Sequence, residues 1–319
     1  MKRLINELIA RGIVGGMLAG LVVVLWFLAV DFFSGQPFHT PAALAAALSN
    51  QPLEAPSLRL VGTYTVVHFA VFAALGVAAM WALNALRLRP SLLLGVVFGM
   101  VVQECVFYAG LWLSGTAPSE IVSWIQVVGA NLLSGIVLMG YLHRAARDEG
   151  PFGLSVLTSH PPLARGIVTG LIGATAVAVW FLIIDAIAGE PLRTPAALGT
   201  AVLFGEPHSD VGIAFGVVAV YTIMHVLAFV AAGILFVAMA EQVERSPSLL
   251  LLAGMAAIVL EAVAVTAMAL GAEWVLGALG VWSILGGNVL AVACMGAYVW
   301  RTHPLLRREL RGEPLSIRI

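Results

Sequence analysis

Residues 11–48 read RGIVGGMLAGLVVVLWFLAVDFFSGQPFHTPAALAAAL, and residues 165–202 read RGIVTGLIGATAVAVWFLIIDAIAGEPLRTPAALGTAV. The two stretches are identical at 18 of 38 positions. In each of them 19 uncharged residues separate an arginine from an aspartate. A helix needs about 20 apolar residues to cross a bilayer, so this repeat predicts two similar units that each begin with a membrane-spanning helix.

The duplication continues along the rest of the chain. After the first outer loop the offset between matching residues changes from 154 to 157 and then stays constant. It pairs Tyr64-Thr65-x-x-His68 with Tyr221-Thr222-x-x-His225, and it pairs two isolated residues with their copies: Glu104 with Glu261 and Asn131 with Asn288. The chain is therefore two tandem copies of one unit.

Composition indicates a membrane protein. Of the 319 residues, 61% are hydrophobic and only 10% are charged, and the mean hydropathy is +1.01. Soluble domains carry about 25% charged residues, so a water-soluble protein is excluded. The expected partners are the lipid bilayer and other membrane subunits, because a net charge of −1 gives no electrostatic reason to expect nucleic acid.

Eight apolar runs are long enough to span the bilayer, at roughly 12–33, 60–86, 91–113, 122–142, 166–187, 212–240, 248–270 and 277–299. We therefore predict an all-α integral membrane protein with eight transmembrane helices. Four spans per unit make the units tandem parallel repeats, related by a pseudo-twofold axis along the membrane normal. The predicted division is a first repeat over 1–147, a cytoplasmic linker over 148–163, a second repeat over 164–303 and a basic cytoplasmic tail over 304–319.

The distribution of basic residues predicts the orientation. With a cytoplasmic N-terminus, 14 Lys and Arg residues fall on the inner side and only Arg59 and Arg193 fall outside. Positive charge is concentrated in cytoplasmic loops, so we predict a multi-pass protein of the bacterial inner membrane with both termini in the cytoplasm. Within the first span Gly12, Gly16 and Gly20 recur at every fourth residue, a spacing that lets helix backbones approach closely.

The loop after the first span of each unit contains the sequence Thr-Pro-Ala-Ala-Leu, starting at Thr40 and at Thr194. The threonines have the chemistry of N-caps, and Pro41 and Pro195 are suited to the first helical position. We predict a short apolar helix in each loop, which either rests at the lipid interface or covers the helices below as a lid.

Few polar side chains lie inside the spans, and most of them occur twice. The acidic residues are Asp31, Glu104, Asp185 and Glu261, and the histidines well inside are His68 and His225. Rise per residue from the charged span boundaries places His68, Glu104 and Asn131 at one level in the outer half of the bilayer. Asp31 lies above them near the outer edge, and Tyr64 lies one turn above His68. Tyr221, Asn288 and Asp185 repeat these positions in the second unit.

Imidazole and carboxylate are common ligands of transition metals. We predict that His68, Glu104, His225 and Glu261 bind a metal ion or a heme iron at a periplasm-facing site, with a redox role. The supporting residues are Tyr64, Asn131, Tyr221, Asn288, Asp31 and Asp185. The structural alternative is a hydrogen-bonded knot without a ligand, since intramembrane polar side chains also hold helices together.

Two tandem four-helix halves in about 300 residues resemble the layout of the heme A synthases. Those proteins place a pair of histidines in each half, whereas each half has one here, so bis-histidine heme within one half is excluded. The resemblance leaves heme held by His68 and His225 together. Two further classes stay open: a proton- or cation-coupled transporter that uses the Glu and His pairs, and an accessory subunit of a larger membrane complex.

The predicted orientation can be tested by thiol labelling. In a chain whose Cys105 and Cys294 are replaced by alanine, we expect a cysteine at Ser119 or Val275 to react with a membrane-impermeant reagent added from the periplasmic side. Each position belongs to a loop that the basic residues assign to the outside. Labelling only from the cytoplasmic side would contradict the orientation.

Overall fold

The structure is a computed structural model that describes residues 2–49, 51, 56–115, 121–146, 150–153, 155, 157, 160–204, 215–245, 280–304 and 307. These residues form helices and connecting turns, with no strand among them. Seven helical stretches in this part of the chain are long and apolar enough to cross a membrane. The predicted span at 248–270, which contains Glu261, lies outside the described residues.

The chain divides into two compact units, Met1–Ser159 and His160–Ile319. The described helices of unit 1 are α1 (Lys2–Phe33), α2 (His39–Leu48), α3 (Leu58–Ala85), α4 (Leu92–Val97), α5 (Glu104–Ser114) and α6 (Trp124–Ala145). A π-helical segment, Phe98–Gln103, joins α4 to α5, so that these three elements make one continuous span. Helix α1 begins well before the predicted position 12, because the polar first turns extend the apolar helix without a break.

The spans of unit 1 form an open arc. Helix α1 packs against α3 on one side and against α6 on the other, and α6 packs against the span made of α4, the π segment and α5. In the described chain, α3 has no comparable contact with α5. The short helix α2 packs against α3, α5 and α1, so it crosses the gap between α3 and α5 at the end where α3 begins.

Glycines bring α1 and α3 together. A Cβ atom added at Gly16 would collide with the carbonyl oxygen of Phe72, and one added at Gly76 would collide with the carbonyl oxygen of Gly12. The span that contains Gly99 approaches α6 in the same way, at the Asn131 carbonyl. Small residues thus allow backbone contact where lipid offers no hydrophobic driving force for association.

The described helices of unit 2 are α7 (Pro161–Ile187), α8 (Arg193–Phe204), α9 (Phe215–Arg245) and α10 (Val281–Thr302). Helix α7 packs against α9 and α10, and α8 packs against α9. Where α7 begins and α9 and α10 end, Arg165 pairs with Glu241 at 3.3 Å, and the buried His303 pairs with Glu244 at 3.1 Å. This charged cluster joins the ends of three helices, and the sequence pattern did not predict it.

Two tryptophans show that the offsets of the sequence repeat correspond to matching contacts. The Trp26 indole nitrogen donates to the Gln126 side chain at 2.8 Å, and the Trp180 indole donates to the Ser283 carbonyl at 2.9 Å. Each indole also covers a glycine, Gly129 for Trp26 and Gly286 for Trp180. Because both tryptophans bond within their own unit, they are packing residues.

The glycine contact predicts a position-dependent effect on stability. We expect Gly76→Val to destabilise the protein by about 1–3 kcal/mol or more, because its side chain meets the α1 backbone. Gly62→Val on the same helix is the matched control, since an added Cβ there has no neighbour within 4 Å. The measurement is the midpoint of unfolding in a detergent titration, and equal midpoints for the two variants would contradict the packing.

Candidate functional site

An aspartate near the C-terminal end of the first span holds the start of the loop helix in each unit. The Asp31 carboxylate accepts hydrogen bonds from the Thr40 amide at 2.8 Å and from the Thr40 hydroxyl at 2.6 Å. Asp185 binds Thr194 in the same way, at 2.8 and 2.7 Å. All four side chains are buried, and a carboxylate next to a helix N-terminus also interacts favourably with the helix dipole.

The predicted loop helices are present as α2 and α8, but the predicted N-caps are wrong. Helix α2 starts at His39 after Phe38, whose φ is 63°, and α8 starts at Arg193 after Leu192, whose φ is 72°. Thr40 therefore lies inside its helix, where its hydroxyl donates a hydrogen bond instead of accepting one. The aspartate of the preceding span supplies the acceptor that an N-cap side chain would otherwise provide.

The intramembrane histidines are each tied to the backbone of the first span. His68 Nε2 lies 3.0 Å from the Gly20 carbonyl oxygen, and His225 Nε2 lies 3.2 Å from the Ala174 carbonyl oxygen. A carbonyl only accepts, so Nε2 is the protonated nitrogen of each ring. In the neutral ring Nδ1 then carries the lone pair and is an acceptor.

Aromatic side chains surround both rings. The Tyr64 and Phe72 ring centroids lie 5.5 and 4.6 Å from that of His68. In unit 2 the His225 ring has Tyr221 at 5.8 Å and Phe229 at 4.8 Å. These rings and the carbonyl bond together hold each imidazole in one orientation.

The π segment ends in two buried polar residues of unit 1. Gln103 is 2% exposed and Glu104 is 1% exposed. Neither the Gln103 amide atoms nor the Glu104 carboxylate oxygens have a hydrogen-bond partner among the described residues. The Asn131 side chain lies next to the Glu104 carboxylate, but its amide nitrogen does not reach hydrogen-bond geometry. The buried Tyr108 hydroxyl also lacks a partner in the part of the chain that the structure describes.

A cavity of about 180 Å³ lies between α3 and α5, below α2. Most of its wall is aliphatic or aromatic, and its polar lining residues are Tyr64, His68, Gln103 and Asn131. The predicted ligand Glu104 is not part of the lining, whereas its neighbour Gln103 is. The predicted residues His68 and Asn131 therefore meet at one cavity, and a residue that the sequence pattern did not single out joins them.

A second cavity of about 100 Å³ continues towards the end of unit 1 where α2 lies. It reaches Asp31, Thr40 and Pro41 at the start of α2. It shares five lining residues with the larger cavity: Val23, Phe27, Leu44, Tyr64 and His68. Helix α2 thus lies over the cavities of unit 1, which matches the lid alternative better than a helix that only rests on lipid.

The structure describes only three of the four residues that were predicted to bind a metal. His68 and Glu104 lie in unit 1, His225 lies in unit 2, and Glu261 is outside the described residues. No group of three or more His, Cys, Asp or Glu side chains suitable for a metal occurs in the part of the chain that the structure describes. Asn288, the predicted counterpart of Asn131, lies half-buried on α10.

Gln103, which lines the larger cavity, and Tyr108, which does not line it, both have apolar counterparts in the second repeat. The offset of 157 pairs Gln103 with Leu260 and Tyr108 with Val265. Sequence reasoning selected residues that occur twice, so it missed both of these. Gln103 could have been found by comparing the two copies, since only one of them has an amide at this position. An amide inside an apolar span costs free energy unless it has a hydrogen-bond partner, so its presence in one copy indicates a specific role there.

Comparison with known proteins adds no relative. No protein-family model, no curated protein and no solved structure matches the chain. The function must therefore be argued from the site itself.

The aspartate–threonine bonds predict a local effect on the loop helices. We expect Thr40→Val to raise amide hydrogen exchange in α2, because one buried carboxylate oxygen loses its partner at a cost of about 1–3 kcal/mol. Thr194→Val is the matched control and should affect α8 alone. Exchange read out by mass spectrometry that rises equally in both helices, or in neither, would contradict this role.

Proposed function

We propose that the protein is a multi-pass protein of the bacterial inner membrane whose unit 1 binds a small molecule in the cavity between α3 and α5. The proposal includes eight spans in two tandem parallel repeats, with both termini in the cytoplasm. The described chain supports the coarser part of this, since it is helical and contains seven helices able to cross a membrane. The 14 to 2 distribution of basic residues supports the orientation.

The observation that carries the binding proposal is the pair of amides in the cavity wall. Gln103 and Asn131 line the cavity, are 2% and 5% exposed, and have amide nitrogens without a hydrogen-bond partner in the described chain. Buried polar groups are nearly always paired in native proteins. The Glu104 carboxylate beside Asn131 offers that amide an acceptor, so Gln103 is the member of the pair whose hydrogen bonding a ligand would complete.

A metal ion or heme iron in a redox role is the second candidate. It is favoured by the Nε2 bonds of His68 and His225, because metal-ligating histidines characteristically donate their other ring nitrogen to a carbonyl or carboxylate. Its weakness is the number of ligands, since one imidazole of unit 1 would need further donors beyond the described residues. The transporter alternative has less support than these two candidates. It requires Glu104 to carry a proton or bind a cation, and Glu104 does not line the cavity.

Filling the cavity should remove its occupant. An added Cβ at Gly110, which lines the cavity, has no neighbour within 4 Å, so Gly110→Phe can place a ring there without meeting the backbone. We expect solvent extracts of the purified wild-type protein to contain a bilayer-soluble compound at near-stoichiometric amount. Mass spectrometry of the Gly110→Phe extract should show that compound reduced at least tenfold.

Gly62→Phe is the matched control, because Gly62 is equally open but does not line the cavity. An unchanged extract from Gly110→Phe would contradict the binding role of the cavity. The same preparations are read by elemental analysis and optical spectroscopy. Bound metal or heme that is lost on His68→Ala and His225→Ala would favour the second candidate, and extracts free of ligand, metal and chromophore would favour the accessory subunit.

A further inference from the structure

The larger cavity of unit 1 is long and narrow. On α3 its lining residues run from Tyr64 to Leu75, a distance of roughly 16 Å at 1.5 Å per residue. The smaller cavity shares Tyr64 and His68 with it and continues along the same face of α3 to Val61. An apolar cavity of about 150 Å³ holds one benzene molecule. Here about 180 Å³ is spread along the whole distance, a shape that suits a chain better than a ring.

The surface inside the larger cavity is mainly hydrocarbon. It is formed by side chains of α1, α2, α3 and α5, such as Val23, Leu44, Phe72 and Val106, and no Asp, Glu, Lys or Arg occurs among its described lining residues. The Gln103 amide atoms are buried, so they reach a ligand only if that side chain turns. The hydrocarbon wall is available to an occupant without any movement, and it favours an apolar group.

The cavity opens sideways between α3 and α5. Its lining residues Val67 and Val71 on α3 and Val106 on α5 are 44%, 37% and 38% exposed. In the described chain α3 and α5 do not pack extensively against each other, and α2 crosses the gap only where α3 begins. Val67 and Val71 lie roughly 13–20 Å along α3 from its first residue, so the opening lies within the membrane-spanning part of the helix.

The opening is continuous with the lipid-facing surface of α3. Val66, which precedes Val67, is exposed and does not line the cavity. The molecules next to such an opening in a bilayer are lipids, and the hydrocarbon part of a lipid is a set of uncharged chains. An empty apolar cavity forfeits dispersion contacts, and water would find few polar partners in it. A chain from a neighbouring lipid supplies these contacts and stays in apolar surroundings.

Resting on the binding function proposed for unit 1, we propose that the occupant is one acyl chain of a membrane lipid. The chain enters between α3 and α5 and lies along the face of α3 from Leu75 towards Val61. Leu44 and Leu48 of α2 cover it where α3 begins. The headgroup stays outside the larger cavity, because a phosphate or ammonium group there would lack a counter-ion among the described lining residues.

Photolabelling with a chain and with a ring tests this assignment. The full-length protein is placed in vesicles of palmitoyl-oleoyl phosphatidylcholine. One probe is a phosphatidylcholine with a diazirine near the methyl end of an acyl chain, and the other is trifluoromethyl phenyl diazirine, a compact apolar ring. Mass spectrometry of peptides measures labelling of the buried cavity residues Val23 and Phe27, relative to the lipid-facing Val66, which is 72% exposed.

The chain probe should reach the two buried residues only through the cavity. We expect its labelling ratio in the wild type to be at least fivefold higher than in Gly110→Phe, whose ring occupies the cavity. Gly62→Phe, which does not line the cavity, should keep the wild-type ratio. In the wild type the ring probe should give a ratio at least threefold lower than the chain probe.

A further pair of variants tests lateral entry. Val71→Phe narrows the opening between α3 and α5, so it should lower the labelling ratio of the chain probe at least threefold. Ala70→Phe is the matched control, because Ala70 is the exposed neighbour of Val71 and does not line the cavity. Circular dichroism and size-exclusion profiles that match the wild type confirm that each variant is folded.

The outcomes separate the assignment of the ligand from the binding function. A ring probe that labels Val23 and Phe27 as strongly as the chain probe, or equal effects of Val71→Phe and Ala70→Phe, would overturn the lateral entry of an acyl chain. If neither probe labels the two residues while another compound co-purifies with the protein, the assignment fails and the binding function stands. If neither probe labels them and no compound co-purifies, the binding function of unit 1 fails as well.

Discussion

The hydrocarbon core of a bilayer offers no water to polar groups, so each polar side chain inside it needs a partner within the protein or a ligand. The first span of each unit supplies most of these partners. Its aspartate accepts from the loop threonine, a carbonyl of its backbone accepts from the histidine, and its tryptophan donates to the last span of the unit. Those bonds fix the loop helix, the second span and the last span around one helix, and the cavity of unit 1 lies in the arc that results.

The elements of this arc could be predicted from sequence because they depend on length, spacing and duplication. Apolar runs of sufficient length gave the described spans to within a few residues at most of their ends, and the Thr-Pro-Ala-Ala-Leu stretches gave both loop helices. The glycine spacing of the first span predicted its close approach to a neighbour, which is α3. The N-caps could not be predicted, because the acceptor that caps each loop helix belongs to a different element nine residues earlier.

The sequence predicted the depth of the candidate site residues but not the helix face that each of them occupies. Rise along a helix places His68, Glu104 and Asn131 at one level, and two of these three line the cavity. Which face of a span a residue occupies depends on the angle of about 100° per residue in an α-helix. A π segment accommodates an extra residue per turn, so an extrapolation through Phe98–Gln103 loses the correct face. Residue type, duplication and depth selected Glu104, and none of them specifies a helix face, so the sequence did not predict that its neighbour Gln103 lines the cavity.

Unit 1 contains polar side chains that the second repeat lacks. Residues that occur in both repeats are therefore not the only candidates for a functional role. Residues that both copies share, such as the aspartate, the histidine and the tryptophan, have their hydrogen bonds within their own unit. Among the buried side chains without partners in the described part of unit 1, the second repeat replaces Gln103 and Tyr108 with apolar residues but keeps Glu104 and Asn131. A duplicated scaffold needs its framework bonds twice, whereas a binding site needs its unsatisfied groups only where the ligand sits. The difference between the copies at Gln103 is therefore the part of this pattern that supports the ligand proposed for unit 1.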